Sequence, residues 1–584
     1  MLRIFGILIV AVLIIGAGAA IYLGPSKMGE LAESMRSGET DQKSAEAPPA
    51  REETPAPAAQ TGPTPQEPLF DSLGDATWPV TTDSELAQKY FNQGVRWAWA
   101  FNHSGAQRAF QEAQRQDPNC AMCYWGEAFV LGPNTNAAME AKNNAPALAA
   151  LENALRVAGN ASPKERALVE ALAKRHSPAP KAERKQLDIA YANAMRAAHQ
   201  AHPDDQNIAV LYVDSVMNLG PWDYWEADGV TPKGEIGDAI AAAEKVLAAN
   251  PDHPGAIHLY IHLVEASNTP ERALPHAERL AELMPGAGHL IHMGAHIFYR
   301  VGRFQDSADL NKKAVEADDL YFKKIDDTAS AWRQGYHTHN VHFVVVSSFM
   351  TGDKVTAFEY LDRLKDTVSA DSAKKVGWMQ LIKQAPFVIN AHLSEPDVVL
   401  AMPDPGDDLP FVQATWNYAQ GVAHARKNQL DEARAAAARI KSLEERDDVA
   451  YPEDIKPVVK GVLQIAQAVI AARVAEAESN WQEAAKNYRN AIEIQDALPY
   501  LEPPYWYYPV RQSLGAALIR AGDPAAAKQV FEEALGRLPN NGWALYGLMQ
   551  AQQTLGDEAG AEATKQRLAA AWAGDPNALD LSRL

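Results

Sequence analysis

A 34-residue period constrains this chain more than any other feature. Counted from Ala87, Gly94 falls at position 8 of a unit, Ala106 at 20, Phe110 at 24, Ala113 at 27 and Pro118 at 32. Counted from Tyr508, the residues Gly515, Ala527, Phe531, Ala534 and Pro539 occupy the same five places, and a further unit opening at Gly542 has Ala561 at position 20. Two antiparallel helices explain the spacing. Small residues at 8 and 20 let two backbones approach, the aromatic at 24 fills the groove between them, and Pro near 32 stops the second helix. One such unit cannot bury its apolar face alone. Neighbours must stack, and the chain is predicted to fold as an all-α superhelix with a concave face.

The five-place pattern resembles the tetratricopeptide repeat (TPR) family. Weaker units fill the middle: Pro203, Pro251 and Pro285 each follow a helical stretch, residues 414–447 place Gly421 at position 8, and residues 465–498 place Ala484, Tyr488 and Ala491 at 20, 24 and 27. Longer strings are similar to a bacterial group of TPR proteins of unassigned function. They include CAMCYWGEAFVLGPN (120–134), MNLGPWDYW (217–225), HPGAIHLYIHLVEAS (253–267), GAGHLIHMGAHIF (286–298), HNVHF (339–343) and PPYWYYPVRQSLGAAL (503–518). The resemblance spans nearly all of residues 83–584 and implies a TPR-type α-solenoid. It implies no reaction.

Ahead of the repeats, residues 4–23 are almost uninterruptedly apolar behind Arg3. About 20 apolar residues suffice to cross a bilayer as one helix. The small residues Ala17-Gly18-Ala19 equally suit a signal-peptide cleavage site. Residues 1–23 are therefore expected to be a transmembrane anchor or a signal helix, with the rest of the chain outside the cytoplasm, in the periplasm. Residues 24–82, rich in Pro, Ala, Glu, Ser, Thr and Gln, are expected to be a disordered tether, since such a composition buries too little apolar surface to offset its ordering entropy.

Composition narrows the function. A formal net charge of −20 argues against a nucleic-acid groove, which needs a basic face. No phosphate-binding glycine loop, dinucleotide fingerprint or nucleophile elbow is found. The two cysteines, Cys120 and Cys123, are spaced C-x-x-C and followed by Tyr124, which rules out the haem-attachment signature. They leave open a short disulfide, packed thiols, a redox pair or a copper(I) site with Met122.

Histidine carries the sharpest signal. Ten of the 16 histidines lie between His253 and His342. Repeat units counted from Pro254 and Gly288 put His258 and His292 at position 5, and His262 and His296 at position 9. His289 stands at position 2. A third unit, counted from Thr338 after an insertion of about half a repeat, puts His339 at position 2 and His342 at position 5. Positions 2, 5 and 9 share one helix face. In the TPR family that face of the first helix looks into the concave groove. Adjacent helices pack about 10 Å apart, so their imidazoles can converge.

The seven residues His258, His262, His289, His292, His296, His339 and His342 are therefore the predicted metal ligands. His253, His276 and His337 fall outside the register. All-nitrogen coordination suits a transition metal, copper or zinc first and iron or nickel next, and disfavours calcium and magnesium. Six imidazoles allow a dinuclear centre with three on each ion. Glu265 and Asp214 are expected as outer carboxylates that orient the rings. H-E-x-x-H is absent, which removes the zinc-protease reading. The alternatives are a hydrogen-bonded histidine network without metal, with Tyr260, Tyr299, Asn340 and Glu265, an anionic ligand or peptide carboxylate held by partly protonated imidazoles, and a scaffold whose groove binds a peptide or an envelope protein. A bound metal leaves a structural role and an oxidoreductase or hydrolase role both open. Two aromatic, proline-rich interruptions, residues 221–234 and 497–509, are expected to pack on the body, the first as a candidate lid.

Overall fold

The computed structural model describes residues 64–584, apart from 65, 180, 181, 329, 331 and 447–454. The expected anchor (1–23), and the tether as far as residue 63, lie outside the described residues. Among the described residues there is no strand, and two isolated bridges, Asn134 with Ala137 and Trp225 with Pro232, are the extent of β pairing. Antiparallel helix pairs follow one another along the chain.

The period has the physical basis read from the sequence. In the first pair, Glu85–Trp99 and His103–Gln116, the Phe110 ring is wedged against Gly94 and against Gly126 of the next helix; a Cβ on either glycine would lie within 3.0 Å of it. Phe531 fills the same place between Gly515 and Gly547. One aromatic thus seals two successive helices, and Ala106, Ala113, Ala527 and Ala534 are buried around the two wedges.

The three helices that carry the histidines begin where the repeat count puts position 1. They are Pro254–Val264, Gly288–Arg300 and Thr338–Met350. Their partners are Leu274–Leu283, Phe304–Ile325 and Lys354–Thr367. The half-repeat insertion is taken up by the 22 residues of Phe304–Ile325 and by a π-helical turn, Arg333–His337, that leads into Thr338. All 11 residues of Pro254–Val264 are buried. A helix apolar on every side belongs inside a body, not at its surface.

Contacts distant in sequence cover these central helices from both sides. Gly255 lies under the Trp99 ring, and Gly286 N–H donates to Ser72 O (2.7 Å). Near the other end, Ala573 N–H donates to Thr351 O (2.9 Å), and Trp572 lies against Gly352.

The end of the expected tether needs correction. Phe70, Leu73 and Trp78 are buried in the first core, Phe70 edge-on to Trp97 at 5.5 Å and Trp78 edge-on to Trp125 at 5.6 Å. Packing of the body therefore starts well before residue 83. Three apolar side chains, with hydrogen bonds from Tyr90, Gln93 and Arg96 to its backbone, hold a segment whose average composition is polar.

Helix Lys456–Ala477 is long and apolar enough to cross a membrane, but most of it is buried within the body, as befits a core helix.

Candidate metal centre

Two sets of three imidazoles form, and they are built alike. His258, His262 and His289 bring one ring nitrogen each to within 4.8 Å of one another; so do His292, His296 and His339. Each set takes positions 5 and 9 of one first helix and position 2 of the next. The second set is the first moved one repeat along the superhelix. His339 is half-buried and the other five are buried.

Hydrogen bonds fix the ring tautomers. His258 Nδ1 lies 2.5 Å from the carbonyl oxygen of Trp99, which can only accept, so Nδ1 carries the proton and Nε2 a lone pair. His262 Nδ1 donates to Glu265 Oε1 (2.7 Å) and His296 Nδ1 to Glu265 Oε2 (2.6 Å). His292 Nδ1 faces Asn311 Oδ1 at 2.7 Å, and the Asn311 amide is oriented by its own donation to Ser307 O (2.9 Å). His258 and His262 thus present Nε2 as a base, while the Nε2 atoms of His292 and His296 meet each other at 2.7 Å.

The Nε2 atoms of His258 and His262 are buried without a partner, as are both ring nitrogens of His289. Leaving such atoms buried and unpaired costs about 1–3 kcal/mol each, which a Lewis-acidic ion would relieve.

Glu265 is the shared support. Fully buried, it accepts from one histidine of each set and from Tyr500 Oη (2.8 Å). Burial alone raises its pKa. The charge of His296 and the hydrogen bonds from His262 and His296 outweigh that and hold it well below the usual carboxylate range. Burial, reinforced by neighbouring imidazoles, pushes the pKa of His258, His289, His292 and His339 well below that of free histidine; burial also lowers His262. Neutral rings with free lone pairs are what a transition metal needs.

A cavity of about 510 Å³ opens on these rings, reached by His262, His289, His296 and His339 and lined in part by aromatic side chains. Both interruptions singled out in the sequence take part. From 221–234, Trp222 stands edge-on to His262 (5.0 Å), while Trp225 Nε1 donates to Leu263 O (2.8 Å). From 497–509 come Tyr500 on Glu265 and Glu502, whose Oε2 lies 3.9 Å from His296 Nδ1. Burial pushes the Glu502 carboxyl well above the usual range.

Other expected residues lie elsewhere. His342 joins neither set: its Nε2 meets Tyr507 Oη at 2.7 Å, and burial takes its pKa down to about 3. Asp214 is hydrogen-bonded to Asn218 (3.1 Å), and burial raises it to about 6; no hydrogen bond joins it to a histidine of either set. Tyr260 donates to Glu244 and Asn340 to Asp318, and neither hydrogen bond reaches a histidine of the two sets. His253 caps helix Pro254–Val264 through Nδ1, which accepts the Ala256 N–H (3.2 Å). Cys120 and Cys123 are disulfide-bonded to each other and buried, which leaves no thiolate for a copper(I) site with Met122.

Asn311 was missed by the sequence reading, although the repeat count marks it. It occupies position 24 of the unit opening at Gly288, where Phe110 and Phe531 stand in other units. A polar residue at the groove-filling position signals a local task.

Residues 518–583 match the family model described as "Tetratricopeptide repeat", so the resemblance seen in the sequence holds at the C-terminal units. No curated protein matches the chain. Among solved structures, the human IFIT1 dimer with m7Gppp-AAAA is similar at 13% identity over 84% of this chain and 91% of that one, with a TM-score of 0.31. Yeast Tom70 is similar at 10% identity over 81% and 90%, with a TM-score of 0.27. At such scores neither neighbour assigns a ligand. The expectation that nucleic acid does not bind rests on net charge alone.

Proposed function

We propose that this protein is a metalloprotein that holds two transition-metal ions side by side in an α-solenoid, three imidazoles to each. The observation that carries the reading is the duplicated set: positions 5, 9 and the next 2, twice, each with its ring nitrogens within 4.8 Å of one another, the first set having unpaired buried nitrogens on all three rings. Three protein ligands and a cavity on the open side match the arrangement of catalytic rather than structural sites, which close with a fourth residue. Copper or zinc suits all-imidazole coordination best, with iron or nickel next. When bound, such ions supply Lewis acidity or, for copper and iron, electron transfer.

The chain's own contribution is legible. Glu265, Asn311 and the Trp99 carbonyl hold the rings in the ligating tautomer, and Trp222 with the 497–509 segment screens them from water. A groove-bound peptide is the weaker reading, because Tyr500, Glu502 and Tyr507 already lie along the histidines. The same proposal places the body outside the cytoplasm on an N-terminal tether. The apolar run at 4–23 and the Cys120–Cys123 disulfide, a bond favoured in oxidising compartments, support that placement.

Metal analysis of protein purified without chelator or affinity tag tests the reading. About two equivalents of one transition metal per chain are expected, given six imidazoles in two sets. Metal-free protein whose melting temperature does not respond to added copper, zinc, iron or nickel would contradict it.

A further inference from the structure

We propose that the cavity over the two histidine sets binds a small uncharged phenol, its ring against the aromatic wall and its hydroxyl on Glu502 beside the imidazoles. The site rests on the metal reading above for the direction in which the hydroxyl points, and on three independent features of the cavity for its chemistry.

Size comes first. About 510 Å³ lies within the range of pockets that enclose small organic ligands and far exceeds what a water or an ion needs. The wall comes second. Phe101, Trp222, Trp332, Tyr336 and Trp378 all line it. Tyr336 and Phe101 already pack on His289, at 4.5 and 5.7 Å between ring centroids, and Trp332 packs on Tyr336 at 4.5 Å. Aromatic walls hold flat rings by offset and edge contacts worth about 0.5–1.5 kcal/mol each beyond burial.

The third feature is the polar anchor. Glu502 is buried and lines the cavity, its Oε2 has no hydrogen-bond partner, and that atom lies 3.9 Å from His296 Nδ1. A hydroxyl placed there satisfies an atom that is otherwise buried and unpaired. Anions fit poorly. Among the described lining residues, Lys142 is the one Lys or Arg, and it is paired with Glu140 at 2.8 Å.

Equilibrium dialysis of the full-length protein as purified, with metal content measured on the same samples, tests this. The probes are 4-methylphenol, toluene (no hydroxyl), cyclohexanol (no aromatic ring) and benzoate (an anion). Binding of 4-methylphenol about tenfold tighter than each of the other three is expected, the scale of one well-made hydrogen bond or stacked ring. Glu502→Leu should remove the advantage over toluene, whereas Glu502→Gln should keep it. Equal binding of 4-methylphenol and toluene, or preference for benzoate, overturns the proposal without any variant. Stoichiometric metal without phenol binding sinks this inference alone. Selective phenol binding by protein that takes up no metal sinks the metal reading and leaves the ligand site standing.

Discussion

His292 and His296 face each other through their Nε2 atoms at 2.7 Å, while their Nδ1 atoms are engaged by Asn311 Oδ1 and Glu265 Oε2. Two neutral rings in those tautomers would oppose lone pair to lone pair. The pair therefore demands a cation, either a shared proton or a metal ion, and the buried carboxylate of Glu265 is placed to balance it. A tetrahedral ion with bonds of about 2.0–2.1 Å sets its nitrogens roughly 3.3 Å apart, so loading needs the two rings to separate by about half an ångström.

Metal uptake should displace that shared proton. Since burial keeps the other imidazoles neutral, filling both sets near pH 7 is expected to release about one proton per chain. Calorimetric titration in two buffers of different ionisation enthalpy reads the number directly. Release of none, or of three and more, would show that the rings are not protonated as their hydrogen bonds imply.

Supports of the two sets are separable. Asn311→Leu removes the acceptor of His292 and should weaken the second set about 10–100-fold. His258→Ala should empty the first set and leave the second. Each variant is expected to take the tight stoichiometry from two ions to one. Glu265→Gln, which leaves only one acceptor for two Nδ1 donors, should reach both sets. Loss of both ions in Asn311→Leu would mean that the sets do not bind independently.

Much of this was readable because repeat position is a coordinate. Helix starts at Pro254, Gly288 and Thr338, and the convergence of positions 2, 5 and 9, follow from counting. Counting alone does not divide seven histidines into two sets. The division depends on the lateral step between helices, which brings position 2 of one unit to positions 5 and 9 of the unit before it. His342 leaves the set because Tyr507, 165 residues away in sequence, captures its ring. Trp99 is likewise remote and carries no local mark, whereas Tyr500 and Glu502 belong to the marked 497–509 interruption without being singled out within it. Glu265 was legible because it lies one turn beyond His262.

The repeat wedges should matter for stability and not for metal. Phe110→Ala leaves a void between Gly94 and Gly126 and is expected to cost about 3–5 kcal/mol of unfolding free energy. Denaturant titration reads the loss, and the metal content of the folded fraction should stay unchanged. A loss below about 1 kcal/mol would mean that neighbouring side chains collapse into the space.

Acid should destabilise the fold through histidines outside the site. Burial lowers His176 to about 3 and His253 to about 4. Their folded pKa values lie below the unfolded value of about 6.5, so the unfolded chain binds more protons as pH falls. Their contribution is fully present above that value and is lost toward the folded pKa. Between pH 8 and 5 the two together should cost about 4 kcal/mol. Unfolding free energies across that range check the slope, which His176→Leu should flatten. A slope unchanged in that variant would assign the acid sensitivity elsewhere.

Anomalous diffraction at the metal's absorption edge, on crystals grown without chelator, tests the two-ion account most directly. It predicts two peaks, one about 2.0–2.1 Å from nitrogens of His258, His262 and His289 and the other at the same distance from His292, His296 and His339. Peaks confined to surface carboxylates, or a single ion shared by histidines of both sets, would contradict it.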